Sequence, residues 1–189
     1  MHSSSVVADD CDLGAGVEIG ALCVLGIDGP TERLCLGSGA TIRSHTVIYR
    51  GTSIGARFQT GHHVLVREFT DIGDDVSIGT GSIVEHHVRM GDGVRLHSRC
   101  FVPEHTVLEP GAWLGPGVTV TNARDPNRPD TKSSLEGVVI ETGAVVGAAV
   151  VLLPGVRLGA NCIVGAGAVV VNDVPAGATV VGNPGRILT

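Results

Sequence analysis

Aliphatic side chains recur every six residues along almost the whole sequence, and no other feature limits its possible folds so tightly. Val7, Leu13, Ile19 and Leu25 form a first run. A second opens at Leu36, Ile42, Ile48 and Ile54 and continues through Val66, Ile72, Ile78, Val84, Met90, Leu96, Val102, Leu108 and Leu114 to Val120. Ile140, Val146, Leu152, Leu158, Val164 and Val170 form the third, and Thr60 is the one non-aliphatic member of the series. Gly often follows the aliphatic residue, as in Ile72-Gly73 and Val164-Gly165, and a small or branched residue such as Val76, Thr106 or Ala168 stands four places after it. A period of six is neither the 3.6 of a helix nor the 2 of a simple strand. It is a solenoid period, in which each hexad is a short strand and a corner with the aliphatic side chain inward. Three hexads make a coil of 18 residues, and coils stack at the strand spacing of ~4.8 Å. The runs of four, fifteen and six hexads predict an all-β parallel β-helix of about eight coils, spanning residues 1–189 as one domain.

Composition agrees with stacked aliphatics. Hydrophobic residues make up 43% of the chain but aromatic ones only 3%, so the core cannot rest on large rings. The formal net charge of −6 argues against a general nucleic-acid binder. No apolar run approaches the ~20 residues of a membrane span. Met1 to Asp10 lacks the charged and apolar regions of a signal peptide, so the expected location is cytoplasmic and no membrane partner is expected. Five cysteines without a CxxC pair make a disulfide scaffold or zinc knuckle a poor reading. Cys11, Cys23, Cys100 and Cys162 each stand four residues after an anchor, where reduced core cysteines are expected.

The period breaks twice. Five extra residues lie between Leu25 and Leu36, and fourteen between Val120 and Ile140. The second insertion is polar, contains Pro126 and Pro129, carries Lys132 as the only lysine, and is expected to leave the solenoid as an external loop over about 121–139. A long loop thrown off a rigid scaffold is where function tends to sit.

From about Thr60 to Arg186 the chain resembles hexapeptide-repeat N-acetyltransferases that act on nucleotide-linked 3-amino sugars. The matching stretches include Val102-Pro103-Glu104, Gly115-Pro116, Thr121-Asn122, Gly147-Ala148, Leu153-Pro154-Gly155-Val156, Gly165-Ala166-Gly167-Ala168 and Val180-Val181-Gly182-Asn183-Pro184-Gly185-Arg186. The C-terminal stretches are shared by nearly all acyl-CoA transferases of this type, whereas Thr121-Asn122 is more particular to the amino-sugar group. The resemblance implies a left-handed helix, a homotrimer and acetyl-CoA lying between subunits. Glu104 matches an acidic position of that group. The chain departs from it at Gly61-His62-His63, where a Trp-His-aromatic triplet is common, and near His97 and Arg99, where amides are common.

Positions 18 apart fall on one face of adjacent coils, so the series also predicts neighbours: His45 with His63, His87 with His105, and Glu85 and His86 on the face of Glu104. His62 and His97 fall on one face two coils apart, ~10 Å by the strand spacing. An amine attacking a thioester must lose a proton, and imidazole suits that exchange near neutrality. His97 is the expected base and His62 the next choice, with Glu104 holding the acceptor's ammonium or orienting the His97 imidazole. Asn122, Arg99, Glu85, His86 and Arg128 are candidates for the acceptor, the arginines for its phosphates. Ala148 and Ala166 offer backbone groups to a pantetheine arm, and Arg186 a charge-assisted partner to the coenzyme phosphates. Six histidines between 62 and 105 raise the possibility of zinc, which enzymes of this fold hold with a histidine pair five residues apart; no two histidines here are so spaced, and no metal is expected. The reading is an acetyl-CoA-dependent N-acetyltransferase for a UDP- or dTDP-linked amino sugar. Its alternatives are O- or N-acylation of another sugar or an antibiotic, and a non-catalytic β-helix scaffold.

Overall fold

The structure, a computed structural model, describes residues 1–188. It is a parallel β-helix whose strands, nearly all of two residues, alternate among three sheets. Face A runs from Val6–Val7 through Val24–Leu25, Val47–Ile48 and onward to Val169–Val170 as a 9-stranded sheet. Face B runs from Asp12–Leu13 to Arg157–Leu158 with 8 strands. Face C runs from Glu18–Ile19 to Thr179–Val181 and is closed by antiparallel Arg186–Ile187, giving 10 strands. The register is the 18-residue coil, as in Val47↔Leu65↔Ile83. Across the insertions it becomes Val24↔Val47 and Thr119↔Val151, so both insertions leave the stack without disturbing it. Among the described residues no helix is long and apolar enough to cross a membrane.

The expectation of about eight coils falls one short: the last counted anchor, Val170, is the ninth strand of face A and opens a further coil whose other two sides the count leaves out. Val174, only four residues after Val170, bridges to Leu158, and Val180 pairs with Val164. The two missing corner residues hide this last coil from a strict count of six.

Each corner follows one plan. The residue after the anchor lies against the corner of the next coil; a Cβ on Gly79, for instance, would run into the His97 backbone. The third residue after the anchor turns with positive φ. Gly81 does so at 70°, but His45, His63, His87 and His105 do so at 62°, 55°, 57° and 66°. The fourth points inward. There Cys23, Cys100 and Cys162 are buried, as expected, whereas Cys11 is only half-buried. Phe58 is fully buried at the same position, a single large ring in an otherwise aliphatic core. Burial pushes the Cys100 thiol up to about 11, which makes it a packing residue rather than a nucleophile.

Hydroxyls at that inward position have a second task. Thr52 Oγ1 donates to the Arg67 carbonyl at 3.1 Å, Thr70 Oγ1 to the Glu85 carbonyl at 3.1 Å and Ser82 Oγ to the His97 carbonyl at 3.0 Å. A buried hydroxyl needs a partner, and each finds it in the corner of the coil above. Thr60 keeps its place among the anchors the same way, accepting from the Arg43 N–H at 2.9 Å.

Leu114, with no exposed surface, belongs to one continuous cluster of stacked anchors. Leu114→Ala should cost about 2–5 kcal/mol in a chemical-denaturation midpoint analysis, since the coils above and below are held by their ladders and cannot collapse into the gap. A loss below about 1 kcal/mol would show that the stack relaxes around cavities.

Candidate active site

The corners form three edges, and the residues singled out in the sequence fall on two of them. Edge A–B, between faces A and B, bears Glu85, His86, Glu104, Asn122 and the long loop. Edge C–A, between faces C and A, bears His62, His97, Arg99, Ala148 and Ala166.

On edge A–B the side chains pair vertically. Arg67 donates to Glu85 Oε2 at 2.9 Å and to Glu68 Oε1 at 2.7 Å. Burial works against the Glu68 carboxylate, yet its own backbone N–H and the Arg67 guanidinium hold its pKa below the ordinary value. One coil up, His86 Nε2 lies 3.3 Å from Glu104 Oε1, and His105 Nε2 lies 3.8 Å from Glu104 Oε2. His86 Nδ1 lies 2.7 Å from His87 Nδ1, so one of these two nitrogens donates and the other accepts. When neutral His86 gives its Nε2 proton to Glu104, its Nδ1 must accept from His87, which links three titratable groups into one relay. Phe69, His87 and His105 continue upward as a ladder of rings with centroids 5.1 and 5.8 Å apart.

The loop is fastened to this edge. Asn122 Nδ2 donates to the Glu104 carbonyl at 3.3 Å, and the Glu136 N–H returns to the Asn122 carbonyl at 2.8 Å. Arg124 spans to Glu136 Oε2 at 3.3 Å and to the Pro154 carbonyl at 3.2 Å. Between these ties lies a short 3-10 turn at Thr131–Ser133. Arg128 is spent locally on Asp130 at 3.1 Å and stands away from the Glu104 cluster in the contacts it makes.

On edge C–A, His62 Nδ1 lies 2.8 Å from Ser44 Oγ, and its backbone N–H donates to Thr80 Oγ1 at 3.2 Å. His97 is half-buried with its ring edge-on to Trp113 at a centroid distance of 4.7 Å. Both histidines line one groove of about 370 Å³ together with Arg43, Gln59, Thr80 and Arg95. Farther along this edge the Ala148 and Ala166 amides find no backbone acceptor among the described residues. Arg186 lies beyond, exposed, in a separate groove with Asn172 and Asp173.

One expected contact is not made. Glu104 does not orient the His97 imidazole; it engages His86 and His105 instead. Residues 97 and 104 are corner residues separated by the strand Phe101–Val102, which carries the chain across face A from one edge to the other. The His86–Glu104 pair itself was legible as residues 18 apart. What the sequence reading missed are Arg67, Arg43 and Arg95, whose signal was also their register. Among the described residues no group of three or more His, Cys, Asp or Glu is placed to hold a metal ion.

No protein-family model matches this chain, and no curated protein matches it by sequence. Solved structures do. A UDP-N-acetylglucosamine O-acyltransferase from Moraxella catarrhalis superposes with a TM-score of 0.59 at 16% identity, over 99% of this chain and 73% of that one. A hexapeptide-repeat acetyltransferase from Vibrio cholerae, complexed with acetyl coenzyme A, matches at 26% identity and a TM-score of 0.50, over 59% of this chain and 68% of that one. The chain spans 58% of the length of a maltose O-acetyltransferase from Clostridium difficile 630, at 25% identity and a TM-score of 0.47 over 55% of this chain. The fold is the left-handed β-helix of hexapeptide-repeat acyltransferases.

Asn122→Ala removes the side-chain tie between the loop and the Glu104 corner. A bond of ~1 kcal/mol corresponds to about fivefold faster hydrogen exchange at residues 123–135, with global stability changed by no more than about 1 kcal/mol. Unaltered exchange there would show that Arg124 and the backbone ties hold the loop unaided.

Proposed function

We propose that this chain is an acetyl-CoA-dependent N-acetyltransferase for the amine of a UDP- or dTDP-linked amino sugar, acting in the cytoplasm as a homotrimer. The observation that carries the reading is the outward row of face A, which lies between the two candidate edges. Val24, Val47, Leu65, Ile83, Phe101, Val151 and Val169 all point outward there, interrupted only by Thr119. The outward rows of the other faces instead include Asp71, Arg89 and Arg157 on face B, and Glu18, Gln59 and Arg95 on face C. An exposed row so nearly all apolar, along one face of a prism, is the signature of an interface. Three prisms that turn face A toward a common axis set edge C–A of one subunit beside edge A–B of the next. That assembly supplies the groove with the carboxylate and loop which its own subunit holds on the other edge.

Chemistry follows from that arrangement. The acceptor amine, oriented by Glu104 and Asn122 of the neighbouring subunit, attacks the thioester carbonyl carbon. A C–N bond forms, the carbonyl electrons move onto oxygen, and backbone N–H groups of the corners stabilise the oxyanion. Collapse breaks the C–S bond. His97 takes the proton from nitrogen and returns it to the departing thiolate, leaving an amide and free CoA. The Ala148 and Ala166 amides receive the pantetheine arm, and Arg186 the coenzyme phosphates. The acetyl coenzyme A complex of the Vibrio cholerae relative supports this donor. His62, in the same groove, is the second candidate base.

A panel of UDP- and dTDP-amino sugars with acetyl-CoA should release thiol with at least one member; no release with any of them, or with simple sugars, removes the enzymatic reading. His97→Ala should lower kcat by about 10²–10⁴-fold with little change in KM for acetyl-CoA. A fall of less than about threefold, with the acid limb of the pH–rate profile unchanged, would take His97 out of the mechanism.

Sedimentation at micromolar concentration should give a trimer, and Phe101→Glu, in the middle of the apolar row, should give folded monomers without turnover. An active monomer would overturn the shared site.

A further inference from the structure

We propose that the groove on edge C–A binds the diphosphate of an organic ligand through Arg43 and Arg95, with His62 and Thr80 completing the shell. The proposal deepens the acyltransferase reading, because it names where the phosphates of one of the two substrates sit.

Charge distribution carries the inference. The chain holds 19 acidic residues against 13 basic ones, yet edge C–A has no Asp or Glu at any corner from Gly20 to Ala168. The outward row of face A has none, and that of face C has only Glu18, in its first strand. No carboxylate lines the 370 Å³ groove, which instead has two guanidiniums, two imidazoles and several hydroxyls; the nearest acidic corners, Asp74, Asp75 and Asp92, stand across face C on edge B–C. A cationic concavity on a chain of net charge −6 focuses field toward an anion.

The arginines are also uncommitted. Arg33, Arg50, Arg57, Arg67, Arg124, Arg128 and Arg157 each pair with a carboxylate. Arg43 and Arg95 pair with none among the described residues. Arg43 spends one nitrogen on the Thr60 carbonyl at 2.6 Å, which pins the side chain and leaves its other donors free. His62 uses Nδ1 on Ser44 and keeps Nε2 open, and Thr80 Oγ1 accepts from the His62 N–H while its own proton remains to be given. The donors come from four successive coils ~4.8 Å apart, so Arg43 and Arg95 bracket the groove three coils, ~14 Å, from each other with His62 and Thr80 between them, a span that a diphosphate carrying its organic groups fills better than a lone phosphate. Arg99, two residues after His97 on the same corner, is exposed and is not part of the groove's lining.

The diphosphate has two possible sources, the acceptor nucleotide and the ADP portion of CoA. Calorimetric titration of the full chain at low ionic strength with UDP, dTDP, CoA and uridine separates them. Arg43→Gln and Arg95→Gln should each weaken at least one diphosphate about tenfold, as expected for loss of a charge-assisted bond, while uridine is unaffected. Arg89→Gln, an equal charge change on face B, should alter binding by less than about twofold. Weakening confined to UDP and dTDP assigns the groove to the acceptor, and weakening confined to CoA assigns it to the donor; both keep the diphosphate site. Diphosphate affinities unchanged by both substitutions, an equal loss in Arg89→Gln, or no diphosphate binding at millimolar concentration would overturn it. A chain that binds UDP through these arginines yet releases no thiol keeps this site and loses the acyltransferase reading.

Discussion

Everything in this molecule depends on the backbone ladder between coils. Each strand donates to the coil above at nearly constant length, as in Leu65 N–H to the Ser82 carbonyl at 3.1 Å and Arg67 N–H to the Val84 carbonyl at 2.9 Å. The ladder fixes which residue stands over which, and side chains then pair along the axis. Arg57 with Asp75, Arg67 with Glu85, His86 with Glu104, and Ser44 with His62 are all 18 residues apart. So is the stacked pair His45 and His63, with ring centroids 4.5 Å apart. A globular domain chooses its neighbours by three-dimensional packing; here a single repeat length chooses them, and each edge becomes a column of like positions.

Insertions are tolerated because the ladder closes behind them. The early insertion is tied by one residue of the following coil. Arg50 donates to the Pro30 and Thr31 carbonyls at 3.0 and 2.9 Å and grips both Asp10 oxygens at 2.8 and 2.6 Å. Its hydrogen bonds hold the Asp10 carboxyl below the ordinary carboxylate range. The contact therefore contributes while Asp10 is ionised and is lost as pH falls through that depressed value. The long loop has lighter ties, all on edge A–B, and its centre is secured only by its own turn and by Arg128 and Asp130. Ties at the roots with only local ones between them would suit a segment that admits a substrate.

Much of this was legible in the sequence because the period itself encodes position. Anchors, inward cysteines, histidine columns and the His86–Glu104 alignment all follow from counting in sixes and eighteens. What escaped was whatever the count does not carry. The last coil was hidden by a corner two residues short at Val174. The Ser82 and Thr70 hydroxyls, which fix the His97 and Glu85 corners, looked like any small inward residue. Glu104 and His97 belong to adjoining parts of one coil, which suggests a contact, but the six residues between them cross the whole of face A to the other edge. Sequence proximity misleads in a solenoid, where seven residues separate edges and eighteen join neighbours.

That same rule explains why one protomer looks unfinished. A three-faced prism has no concave wall deep enough to enclose a substrate, and its columns sort functional groups by edge rather than gathering them. Here edge A–B carries Glu68, Glu85, Glu104 and the loop, edge C–A carries Arg43, His62 and His97 without any carboxylate, and between them lies the apolar row of face A. In the proposed trimer, apolar burial and catalytic completeness favour the same event, since a contact that covered Leu65, Ile83 and Phe101 would also bring the two edges together. Coupling of this kind would leave an isolated chain inert toward acetyl-CoA and reserve turnover for the proposed assembly. The cationic column fits the same logic. Phosphates held at Arg43 and Arg95 would lie on the His97 side of the proposed joint. Were the acceptor to supply them, the proposed base and the acceptor's phosphate anchor would belong to one subunit, and the neighbouring subunit would contribute orientation.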